Sequence, residues 1–137
     1  MRERPRAMRT VDDFLVACSL QEAAVELVST PGWERHLRAL ATALRERCAV
    51  LAAGLVREIP EWTITHVPAG GLHLWVRPTA DYLAEAARSH GVSIADGRQY
   101  FAAEPPGTFL RIGFAATAEL AEGVRRLALA ARDLPGR

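Results

Sequence analysis

The clearest pattern in the chain is one apolar stripe. Leu37, Leu40, Leu44, Cys48, Leu51 and Leu55 follow one another at spacings of 3, 4, 4, 3 and 4 residues. That period predicts a helix of about 27 residues with one buried face. Arg35, Arg38, Arg45, Glu46 and Arg47 fall mainly on the other face, and Pro60 ends the run. Upstream, Thr10 and Asp13 are placed to start a short apolar helix through Phe14, Leu15 and Val16. Ser19-Leu20-Gln21-Glu22 fits a capping box opening a helix from about Leu20 to Val28. Thr30-Pro31 is a further start signal, an N-cap hydroxyl before proline at the first helical position.

After Pro60 the period changes to two. Trp62 to Val67 and Leu72 to Arg77 read as strands joined by the turn Pro68-Ala69-Gly70-Gly71, hence a hairpin. Thr79 caps a predicted helix through Leu83, Ala86 and Ala87, closed by Gly91. Val92-Ser93-Ile94 reads as a short strand, and Ala95 to Thr108 as a loop with Gly97, Pro105, Pro106 and Gly107. Phe109 to Phe114 reads as the last strand. Thr117 then caps a final helix with Leu120, Val124, Leu127 and Ala131 on one face, and Pro135-Gly136-Arg137 is expected to fray. The predicted class is α+β: a small, mostly antiparallel sheet covered by helices on one face.

Length supports one domain over residues 1–137, with a basic segment and short apolar helix in 1–18 and an α+β core in 19–134. A net charge of +1 gives no global argument for nucleic acid or membrane. No apolar run approaches a membrane span or follows the basic N-terminus as in a signal peptide, so the expected location is cytoplasmic. Arg2, Arg4, Arg6 and Arg9 read as a solvated tail rather than a nucleic-acid contact. Cys18 and Cys48 read as two buried, reduced thiols without metal spacing. His36, His66, His73 and His90 share no spacing with cysteine or carboxylate, so no metal is expected. All 17 basic residues are arginine. Without lysine, this chain has no side-chain primary amine for a Schiff base, and no catalytic residue is expected in it.

One residue stands out chemically. In the last strand Leu110, Ile112 and Phe114 share one face, and Phe109, Arg111 and Gly113 the other. The apolar set suits the core, which delivers Arg111 to the opposite face with open space at Gly113. A guanidinium there matches a carboxylate bidentately, or it is an exposed arginine that solubilises an open face; spacing leaves both open. Gly70 and Gly71 either let backbone approach a ligand or form an ordinary turn. Tyr100 and Phe101 either line a pocket or anchor their loop.

Four blocks carry a family resemblance, in order over about 120 of the 137 residues. Gly32-Trp33-Glu34-Arg35-His36-Leu37-Arg38-Ala39-Leu40 looks like the start of the long helix in the C-terminal region of fold-type I pyridoxal-phosphate (PLP) proteins. Pro68 to Val76 is similar to their hairpin motif, Val92 to Phe101 to their strand and active-site loop, and Leu110 to Ala115 to the segment whose arginine binds the substrate carboxylate. The chain especially resembles the aminotransferase-like domain of MocR-type, GntR-family transcriptional regulators. The resemblance implies an aminotransferase small-domain fold, Arg111 as carboxylate ligand, and Gly70, Gly71, Tyr100 and Phe101 near the cleft. In that family the PLP lysine, the aspartate facing the pyridine nitrogen, the ring-stacking aromatic and most phosphate contacts lie upstream in a large domain, beyond a DNA-reading winged helix. Two departures stand out: the connection from Arg77 to Thr79 is short, and Ala95-Asp96-Gly97 lacks the proline common before the glycine.

Three functions are compatible. The chain is the detached effector-binding domain of a MocR-like regulator, the small domain of a catalytic aminotransferase, or a freestanding homodimeric binding protein. On the first, PLP belongs to the full-length parent and not to this chain alone. The partners are then a large PLP-binding domain, an amino-acid ligand and a second copy, with no direct nucleic-acid contact by this domain and no membrane.

Overall fold

A computed structural model describes residues 16–79, 83–115 and 119–134. The predicted Thr10 helix, the basic cluster at Arg2 to Arg9, the Thr117 cap and the terminal Pro135-Gly136-Arg137 lie outside these residues. So does the first turn after Thr79. The elements, in order, are α1 (Cys18–Val28), α2 (Pro31–Glu58), β1 (Thr63–His66), β2 (His73–Arg77), α3 (Leu83–Ser89), β3 (Ala95–Asp96), a 3-10 turn (Gly97–Tyr100), β4 (Leu110–Gly113) and α4 (Leu120–Arg132). The chain divides into two compact units, residues 1–39 and 40–137.

In the first unit, α1 has no buried residue, and Leu20, Val25, Leu27 and Val28 are exposed. The predicted capping box does not form: the helix opens after Ala17, with no side-chain cap, and Ser19 lies inside its first turn. Leu20 and Gln21 donate their backbone N–H groups to Ala17 O, so the turn closes before Ser19. Gln21 Nε2 donates to Val16 O at 2.8 Å. Helix α2 does begin at Pro31, but the Thr30 hydroxyl donates backward to Leu27 O at 2.8 Å. The hydroxyl thus goes to the Leu27 carbonyl, which also accepts the Thr30 N–H, rather than to an N–H of α2.

In the second unit, four antiparallel strands form one sheet in the order β1-β2-β4-β3. A bulge between Ile64 and His66 interrupts β1. One face supplies Leu74, Val76, Leu110 and Ile112 to the core. Against it pack Cys48, Leu51 and Leu55 of α2, Ala87 of α3, and Val124, Leu127 and Ala128 of α4. Phe114, Leu55, Ile59, Leu74, Leu127 and Val76 are fully buried. Each such side chain stabilises the fold by about 1.5–3 kcal/mol relative to exposure. The stripe read from the sequence is therefore buried at Cys48, Leu51 and Leu55, whereas Leu37 and Leu40 are each 43% exposed. Burial also pushes the Cys48 thiol pKa up, which favours its protonated form. Cys18, expected buried, is instead exposed, because it opens α1, which buries no residue.

The segment Val92-Ser93-Ile94 is not a strand; pairing with β4 begins at Ala95, opposite Arg111. The reason is local. Gly91 has a φ of 74°, its N–H donates to Arg88 O, and that of Val92 donates to Ala87 O. These residues close α3 in a Schellman motif and are committed before the ladder starts. Ile94 then turns into the core, 8% exposed. Asp96 accepts from the Arg98 N–H at 2.8 Å, which starts the 3-10 turn and ends β3 after two residues. Among the described residues no helix is long and apolar enough to cross a membrane.

Candidate functional site

The sheet face opposite the core carries aromatic rings and Arg111. Trp75 and Arg111 are partners in the β2–β4 ladder, and His73 is opposite Gly113. Because alternate strand residues share a face, His73, Trp75 and Arg111 meet on this side. The 3-10 turn brings Tyr100 and Phe101 over them.

Trp75 packs edge-on against Tyr100 at 5.9 Å, Phe101 at 5.8 Å and Phe109 at 6.3 Å between ring centroids. This approach requires Gly97. A Cβ there would lie 2.7 Å from Trp75 Cζ3 and 2.8 Å from both the Cβ and the carbonyl oxygen of Phe109. The Gly97 N–H in turn donates to that carbonyl at 2.8 Å. Thr65, Trp75, Tyr100, Phe101 and Phe109 line an open hollow of about 520 Å³.

Arg111 lies beside this wall, partly buried. Its Nη1 donates to the Tyr100 hydroxyl oxygen at 2.7 Å, and its Cζ is 4.5 Å from the centroid of that ring. Its Nη2 is 3.0 Å from His73 Nδ1. A guanidinium has five N–H donors. Among the described residues these two contacts leave three without a partner, enough for a carboxylate fork. Desolvation, and then the charge of Arg111, hold the His73 pKa below its ordinary value.

The predicted site residues fall in two places. Arg111, Tyr100 and Phe101 gather on the open face. Gly70 and Gly71 border a separate cavity of about 130 Å³ with Ala41, Leu44, Cys48 and Phe114, on the core side. A further hollow of about 260 Å³ lies between α4, β4 and the Gly91–Ile94 turn, also on the core side and without Arg111 among its walls. Sequence reasoning weighs His73 only as a metal ligand; among the described residues no metal-binding cluster exists. The signal for its role is the two-residue step from His73 to Trp75, set against Arg111 in an antiparallel pairing.

The face sets polar side chains beside an aromatic wall. It offers a guanidinium, a phenol and an imidazole, and no primary amine. These groups fit a carboxylate; they do not form a covalent PLP site.

No family model matches the chain. It is 25% identical over 118 residues to the uncharacterized HTH-type transcriptional regulator YdeL of Bacillus subtilis (strain 168), covering 82% of this chain and 26% of that protein. It is 32% identical over 100 residues to the uncharacterized HTH-type transcriptional regulator YdcR of Escherichia coli (strain K12), covering 70% of this chain and 21% of that protein. The chain thus spans only about a quarter of the length of these relatives. Among solved structures, the α-aminoadipate aminotransferase LysN of Thermus thermophilus, complexed with N-(5'-phosphopyridoxyl)-L-leucine, superposes with a TM-score of 0.69 and 29% identity, covering 78% of this chain and 29% of that one. The multiple substrate aminotransferase of Thermococcus profundus superposes with a TM-score of 0.62 and 26% identity, covering 73% of this chain and 26% of that one. The chain is therefore an aminotransferase-like domain, with the architecture of the C-terminal small domain of fold-type I PLP-dependent enzymes.

Proposed function

We propose that this domain supplies Arg111 to hold the carboxylate of an amino-acid effector in a MocR-type, GntR-family regulator. The observation that carries this reading is the guanidinium of Arg111, supported by Tyr100 and His73 on the sheet face turned away from the core. The regulator names of its curated relatives favour sensing over turnover. In the parent protein PLP supplies an electrophile for the amino group of the effector, and it is bound by the large domain. This chain contributes the carboxylate fork and an aromatic wall that excludes water, which strengthens the ion pair. Closure of this domain on the large one then biases the arrangement of the DNA-reading domains. The protein works in the cytoplasm as a homodimer, and this domain makes no direct nucleic-acid contact.

The second reading is the small domain of a catalytic aminotransferase, favoured by the solved neighbours, which are aminotransferases. There Arg111 orients substrate for chemistry carried out upstream. A freestanding homodimeric binding protein is the third. The coding DNA immediately upstream separates them. A frame encoding a winged helix and a lysine-bearing large domain supports the regulator, a large domain alone supports the enzyme, and neither supports the freestanding protein.

A further inference from the structure

Arg111 is anchored at both ends of its fork, and the two anchors differ in chemistry. Tyr100 OH can donate or accept; here it accepts from Nη1 at 2.7 Å. His73 Nδ1 lies 3.0 Å from Nη2. A guanidinium only donates, so Nδ1 must be the acceptor. That fixes His73 as the neutral tautomer with its proton on Nε2. Gly113 is the ladder partner of His73. A Cβ at Gly113 would touch His73 Cδ2 at 3.6 Å, and any longer side chain would contest the place of the imidazole.

Resting on the reading of Arg111 as a carboxylate ligand, we propose that His73 is its positioning residue: as a neutral acceptor it holds Nη2 and, with Tyr100, sets the plane of the guanidinium before ligand arrives. An arginine side chain loses rotamer freedom when it is ordered. A fork ordered in advance loses less on binding, which raises affinity without a new ligand contact. A protonated imidazole has no acceptor to offer, so the device works only with His73 neutral. Burial and the charge of Arg111 both favour that form. Among the described residues, the charged group in contact with the imidazole is Arg111, and the titratable group on the other arm of Arg111 is Tyr100.

The test separates this proposal from the carboxylate reading. Nitrogen-15 NMR of the 137-residue chain at neutral pH should show His73 as the Nε2–H tautomer. The Arg111 guanidinium should rotate more slowly than the exposed guanidinium of Arg38. His73→Leu should release that rotation, and His73→Asn should retain it, because its side-chain oxygen accepts near the place of Nδ1. A proton on Nδ1, or Arg111 rotation unchanged in a folded His73→Leu chain, overturns the proposal; the tautomer in the unmutated chain decides even if that variant unfolds. In the domain joined to its PLP-binding partner, His73→Leu should weaken amino-acid affinity from a few-fold to about tenfold, with recovery in His73→Asn. An effect of Arg111→Ala without one of His73→Leu refutes positioning alone. Unchanged affinity in both variants refutes the carboxylate reading, whatever the NMR result.

Discussion

Trp75 and Arg111 are directly opposite one another in the β2–β4 ladder, on the sheet face opposite the core. Cross-strand partners are the closest side-chain neighbours a sheet provides. One member collects Tyr100, Phe101 and Phe109 into a wall, and the other directs a charged fork along it. A charged fork beside an aromatic wall follows from this single pairing.

Gly97 is the point on which that wall depends. Gly97→Ala should destabilise the chain by about 1–3 kcal/mol, because the added methyl meets Phe109 backbone as well as the Trp75 ring. Gly54 is a control with the opposite sign. Its Cβ would meet Val124 at an ordinary 3.4 Å, and alanine is better than glycine inside a helix, so Gly54→Ala should stabilise by about 0.5–1 kcal/mol. Urea unfolding monitored by tryptophan fluorescence measures both.

The titration of His73 carries a signed expectation. Its folded pKa is depressed, so folded and unfolded chains are both neutral there at high pH and His73 adds no pH dependence. As pH falls below the ordinary histidine value the unfolded chain protonates first, and stability is lost until the folded pKa is passed. NMR titration should give a midpoint below the ordinary value. Arg111→Met should raise it only part of the way, since desolvation is the larger cause.

Much of this was legible in the sequence, for identifiable reasons. The period-3.6 stripe ending at Pro60 marked α2, and alternation in Leu110 to Phe114 placed Arg111 opposite the core. Both patterns are readable where their apolar side faces the core, at Cys48, Leu51 and Leu55 of α2 and at Leu110 and Ile112 of β4. Less was legible where backbone bonds compete locally. Ser19 could cap on paper, but the chain closed its first turn on Ala17. Val92 to Ile94 had strand residues, but its first positions were already closing α3. The His73–Arg111 contact requires a register between distant strands, which no local period encodes.

The absence of lysine gives a cofactor prediction. Mixed with PLP, an N-terminally blocked sample of this chain should develop no stoichiometric chromophore, since no side-chain amine is present to react. A stable one-to-one adduct by absorbance titration would contradict this.

Exposed Leu20, Val25, Leu27 and Val28 on α1, with Leu37 beyond in the same unit, are more apolar surface than isolated residues usually leave in water. Light scattering coupled to size exclusion at micromolar concentration should give twice the 15.0 kDa chain mass. A two-fold pair is the commonest closed solution. A monomer mass that persists on concentration would contradict self-association.

Whether Arg111 holds the carboxylate of an amino acid is read from a binding cycle. In the domain joined to its PLP-binding partner, an amino acid and its decarboxylated amine are titrated against unmutated and Arg111→Ala protein. In water an exposed ion pair is worth about 0–1 kcal/mol, but in a closed cleft a charge-assisted pair is worth several-fold more. Arg111→Ala should therefore weaken the amino acid by at least about tenfold, leave the amine unchanged and leave PLP bound. Equal losses for both ligands, or no loss for the amino acid, would show that Arg111 does not hold the carboxylate.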